Sequence, residues 1–73
     1  MRMPTKEELD RIMKQYPAGS RVRLIHMEDQ SAPPEGTLGT IQGINSIGDL
    51  EVSWNTGSSL KLIVGCDSFS LER

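Results

Sequence analysis

The chain has 73 residues, a single cysteine and a formal net charge of −2. That length allows one domain with a marginal core, burying about 60% of the surface of the unfolded chain, and leaves little wall for an enclosed catalytic pocket. The negative balance opposes a surface built to grip phosphates, and one cysteine excludes an internal disulfide and points to a reducing compartment.

The opening residues, Met1 to Lys6, lack the apolar core of a signal peptide, and no apolar run approaches the ~20 residues of a membrane span. A soluble, cytoplasmic protein with no membrane partner is expected. Thr5 to Tyr16 is predicted to be the only helix. Thr5 and Glu8 have the spacing of a capping box, Glu7, Glu8 and Asp10 suit the positive end of the helix dipole, and Pro17 stops the helix. Leu9, Ile12, Met13 and Tyr16 fall on one stripe, which reads as a face that lids the rest of the domain rather than one kept for a partner.

Arg21 to Met27 is the first predicted strand. Val22 and Leu24 alternate with Arg21 and Arg23, and the phase then slips at Ile25, which predicts a bulge or bend. Glu28 to Glu35 is a polar loop stiffened by Pro33 and Pro34. A second strand follows, punctuated by Gly36, Gly39 and Gly43 and therefore kinked. Leu50, Val52 and Trp54 alternate with Glu51 and Ser53, the turn Asn55-Thr56-Gly57 follows, and Leu60, Leu62 and Val64 resume the period of two. This pattern predicts a β-hairpin. Phe69 and Leu71 close the chain as a short strand or a single helical turn. Five short strands with glycine bends suggest a small barrel. Tyr16, Trp54 and Phe69 are the only aromatic residues, and all three are expected to be at least half buried.

Chemistry-bearing constellations are sparse. His26 and Cys66 stand forty residues apart, so neither supports a metal site; His26 is expected at a solvated sheet edge and Cys66 as a small buried or half-buried filler. No phosphate loop is present, and Ser58 and Ser59 have no second histidine to complete a triad. Glu28, Asp29 and Glu35 lack calcium-loop spacing and read as a solvated loop. No catalytic, cofactor-binding or metal-binding residue is assigned, and no enzymatic activity is expected. For partner binding the candidates are Arg21, Arg23 and Lys61 as a small basic strip, and Glu28, Asp29, Pro33 and Pro34 beside Trp54 as a preorganised protein-docking surface. Each has a plainer explanation: the arginines solubilise the outer face of a strand, and Trp54 is a core-edge residue.

Tyr16-Pro17-x-Gly19-x-Arg21-Val22-x-Leu24-x-x-Met27-x-Asp29, Pro34-x-Gly36-Thr37-x-Gly39-Thr40-Ile41, Val52-x-Trp54, Gly57-Ser58-Ser59-Leu60 and Asp67-x-Phe69 together resemble a bacterial family of small proteins of unknown function, frequent in phages and mobile elements. Asn55-Thr56 stand where that family has Asp-Asn, and Asn55 can still brace the turn through its side chain. The resemblance implies an SH3-like barrel and no established activity. The expectation is therefore a mainly β domain spanning residues 1–73: a helix over 1–16, then a barrel of about five strands over 20–72. The expected function is a non-enzymatic protein-binding module, monomeric or weakly dimeric. The alternative is a nucleic-acid-binding accessory protein of a phage or mobile element.

Overall fold

The computed structural model describes residues 3–72; Met1, Arg2 and Arg73, the ends of the expected domain, lie outside the described residues. Helix α1 (Lys6–Gln15) is followed by strands β1 (Arg21–His26), β2 (Leu38–Ile44), β3 (Leu50–Trp54) and β4 (Ser68–Glu72). The strands form one antiparallel sheet in the order β3-β2-β1-β4. The protein is mainly β, an open four-stranded sheet with one short helix.

The helix forms where its caps say it should. The Thr5 hydroxyl accepts the Glu8 N–H at 3.1 Å and the Glu8 carboxylate accepts the Thr5 N–H at 3.3 Å, while Tyr16 is the C-cap. Ile12 and Tyr16 pack against the core, and Tyr16 meets Phe69 of β4 with ring centroids 5.2 Å apart. Leu9, Ile12 and Pro4 pack over Gly48 in the β2–β3 loop. The stripe thus lids the sheet, as its spacing predicts.

The phase slip at Ile25 and the kink expected in the glycine-punctuated second strand both become bulges. One lies between Leu24 and His26 where β1 meets β4, and it turns Ile25 out to 50% exposure before Met27 returns to the core. The other lies between Ile41 and Gly43 in β2. The interior is Val22, Leu24, Ile41, Leu50, Val52, Trp54 and Leu62. Trp54 is 2% exposed, so it is a core residue. Tyr16 and Phe69 are half buried. Cys66, expected as a filler, is instead exposed, because it sits in the turn that links Val64 to Asp67 rather than under the sheet.

The second arm of the predicted hairpin is where the chain departs from a regular strand. Residues 58–64 do run back along β3: Leu50 and Leu62 exchange two backbone hydrogen bonds at 2.9 Å, and the Trp54 N–H donates to the Ser58 carbonyl at 3.0 Å. The same register would pair Val52 with Leu60, and that pair does not form. The Leu60 carbonyl accepts from the Trp54 indole Nε1–H at 2.9 Å, and the Leu60 N–H donates to Ser58 Oγ at 3.3 Å. Both backbone groups of Leu60 are thus diverted to side chains, and the ladder breaks at its centre. Leu62 still enters the core, fully buried, but the arm is a bridge and not a strand.

Trp54 has room because Gly39 is its cross-strand partner. A Cβ on Gly39 would lie 2.7 Å from Trp54 Cε3 and 2.7 Å from Val52 Cγ1. Gly39→Ala is therefore expected to cost about 1–3 kcal/mol in urea melts, and Trp54→Ala about 3 kcal/mol or more. Gly39→Ala should cost less in a Trp54→Ala background, since one of the two clashing groups is gone. Equal costs in the two backgrounds would place the strain elsewhere. Gly57, in the turn, has φ of 93° with open space around its Cα. Gly57→Val should lower stability by about 1–2 kcal/mol through backbone strain alone, and Gly57→Asn by less; equal melts for all three proteins would contradict that origin.

Candidate functional site

Arg21 and Arg23 stand on the outer face of β1, and each is engaged by its neighbours. One Arg21 guanidinium nitrogen donates to Thr40 Oγ1 at 2.7 Å. Arg23 Nε donates to the Glu72 carboxylate as an ion pair, and its Nη1 donates to the Gly36 carbonyl at 3.3 Å. Lys61 is on the arm beyond β3, so β2 and β3 lie between it and the arginines. The structure does not bring the three together as one strip.

The β1–β2 loop is braced at both ends. His26 Nε2 lies 3.0 Å from a Glu28 carboxylate oxygen and His26 Nδ1 lies 3.1 Å from one of Glu35. Only the doubly protonated imidazolium can donate to both. The bond to Glu28, then that to Glu35, holds the imidazole above its ordinary value of 6.5. Asp29 accepts the Ser31 N–H at 2.7 Å, and Thr37 donates to the Pro34 carbonyl at 2.6 Å. Glu28, Asp29, Pro34 and Glu35 are exposed, whereas Pro33 is buried. With Trp54 buried too, two of the residues expected to offer contact area on this surface are turned inward. The nitrogens of His26 face two different carboxylates and do not converge on one point, and among the described residues no group of three His, Cys, Asp or Glu could hold a metal ion.

A shallow groove of about 390 Å³ lies between β3 and the start of the 58–64 arm, lined among others by Gln42, Glu51, Ser53, Ser58, Ser59 and Lys61. Ser58 there accepts the Leu60 N–H, so the turn explains its position.

The free side of β4 is the feature that residue patterning did not single out. Along an antiparallel strand, successive residues turn their N–H and C=O to opposite neighbours. The Leu24 N–H donates to Thr37, the Leu24 carbonyl accepts from Gly36, and the Ser20 carbonyl accepts from Ile41, so the even-numbered residues of β1 bond toward β2. Arg21 and Arg23 then bond toward β4, where their partners are Glu72 and Ser70. It follows that Phe69 and Leu71 direct their N–H and C=O away from the sheet. Among the described residues no backbone hydrogen bond reaches that side of β4. The opposite edge, β3, is covered by the 58–64 arm. The alternation of Phe69 and Leu71 was visible in the sequence; that they lie at an edge depends on strand order, which no local pattern encodes.

The geometry at His26 has a measurable consequence. A group whose pKa is raised on folding adds stability that is fully present below its unfolded value and is lost as pH rises through the folded one. An NMR titration of His26 should show a midpoint above 6.5, moving back toward it in Glu28→Gln and Glu35→Gln. A midpoint at or below 6.5 in the native chain would show that the two contacts do not persist in solution.

No curated protein and no solved structure is significantly similar to the chain. A family model matches residues 5–71, from the helix cap to the last residues of β4, and so takes in nearly all of the sheet, the broken arm and the outward-facing Phe69 and Leu71. On that coverage the protein belongs to the family described as Domain of unknown function (DUF4314).

Proposed function

We propose that the protein is a non-enzymatic protein-binding module that docks its partner through the open β4 edge of a small SH3-like barrel. In this reading the 58–64 arm stands for the barrel's remaining strand, reduced to the Leu50–Leu62 bridge. The observation that carries the proposal is the pair of outward-facing backbone groups at Phe69 and Leu71. An extended segment laid along them gains main-chain hydrogen bonds without displacing any existing pair, which is the physics of strand addition.

The nucleic-acid alternative has less support. It needs a continuous basic surface, and Arg23 is neutralised by Glu72, Arg21 is tied to Thr40 and Lys61 is remote. The chain as a whole carries −2. Fluorescence anisotropy with DNA and RNA oligonucleotides should therefore show no binding tighter than the ~100 μM end of non-specific association. Sub-micromolar binding that weakens steeply with salt and disappears in the Arg21→Glu, Arg23→Glu double variant would overturn the protein-binding reading.

A further inference from the structure

We infer that the occupant of the β4 edge is a second copy of this chain, paired antiparallel about a two-fold axis at Ser70. The inference rests on the reading of that edge as the docking element. Three features of β4 support it.

The first is register. Two antiparallel edges join through the residues whose backbone groups point outward, here Phe69 and Leu71. With the axis at Ser70, Phe69 faces Leu71 of the second copy and Leu71 faces its Phe69. Both are hydrogen-bonded pairs, so four N–H···O bonds form. Axes at Phe69 or Leu71 leave part of the strand unpaired, whereas the Ser70 axis uses all of Ser68–Glu72.

The second is side-chain class. Phe69 and Leu71 share the core face with their β1 partners Leu24 and Val22, and both are half buried. In the Ser70 register they meet each other across the junction, apolar against apolar. On the outer face Ser70 meets Ser70 and Ser68 meets Glu72. The charged or titratable groups on that face near β4 are Arg21, Arg23, Glu72 and His26, the cross-strand partner of Ser68, and no two like charges come directly opposite. Glu72 already holds Arg23 of its own chain.

The third is the lack of the devices that normally blunt an edge. β4 has no proline and no lysine, and its single charge is paired within the chain. The bulge between Leu24 and His26 bends only the Ser68 end.

Five residues a side make a patch below the ~1,200 Å² of standard interfaces, so association is weak, with a dissociation constant on the order of 0.1–1 mM. Sedimentation equilibrium and NMR diffusion on the full chain should show a concentration-dependent dimer in that range. Ser70→Asp and Ser70→Lys each place two like charges at the closely spaced central pair, and each should weaken the dimer about tenfold or more, one decade of dissociation constant being a modest energy. Both substitutions lie on the solvent-facing side of β4, and amide spectra of each variant check that the monomer is intact. An equimolar mixture of the two should associate at least as tightly as the native chain, because opposite charges then meet at the axis. A native chain still monomeric at about 1 mM, variants that associate unchanged, or a mixture no tighter than its components would each overturn the inference. Those results would leave the protein-binding reading in place, since that reading falls to salt-sensitive oligonucleotide binding instead.

Discussion

The structure depends on how Trp54 is seated. Its ring lies against Gly39, a cross-strand partner without a side chain, and its indole N–H reaches the Leu60 carbonyl at 2.9 Å. One side chain therefore fills the core beside Gly39 and holds the segment that follows the turn. A buried indole N–H needs an acceptor, since leaving it unpaired costs about 1–3 kcal/mol. The Leu60 carbonyl on the returning arm supplies it. Satisfying the core residue and completing the ladder compete for the same atom, and the core residue wins.

That competition gives the sheet two unlike edges. Along β3 the arm returns close enough to cover the edge and to deliver Leu62 to the interior, though it pairs regularly only at Leu50. Along β4 nothing returns among the described residues, and Phe69 and Leu71 keep their outward backbone groups free. The described chain lays a segment along only one of the two edges. Its helix goes to the open end of the core, where Ile12 and Tyr16 close over the sheet and Tyr16 reaches Phe69.

Much of this was legible in the residues. The Thr5–Glu8 capping box and the Leu9, Ile12, Tyr16 spacing set the helix and its buried side. The shift of phase at Ile25 and the position of Gly43 announced the two bulges. The alternation of Trp54 with Leu50 and Val52 left it either a core-edge residue or a docking aromatic, and its burial decides for the core. The break in the arm was not legible, because Leu60, Leu62 and Val64 carry a regular strand pattern. Only the three-dimensional approach of the Trp54 indole shows that Leu60 is taken. The basic strip failed for a similar reason. Arg21 and Arg23 share a face by parity, but their partners Thr40 and Glu72 are 19 and 49 residues away in sequence, and Lys61 is separated from them by two strands. Cys66 was misplaced because a small apolar residue beside a glycine looks the same in a turn as in a core.

The partly buried residues follow the same division between the two edges. Toward β3 the core ends in side chains that are wholly covered: Leu50, Leu62 and Trp54. Toward β4 it ends in Phe69 and Leu71, which face inward from the outermost strand and are only half covered, although Tyr16 shields Phe69 from the helix side. The incomplete burial and the free backbone groups belong to the same two residues. A fifth strand added beside β4 would address both at once, extending the ladder through Phe69 and Leu71 and covering their exposed flanks. An intramolecular strand would do this permanently. A strand from another molecule does it reversibly, and the shortness of β4 keeps the gain small enough for the contact to dissolve again.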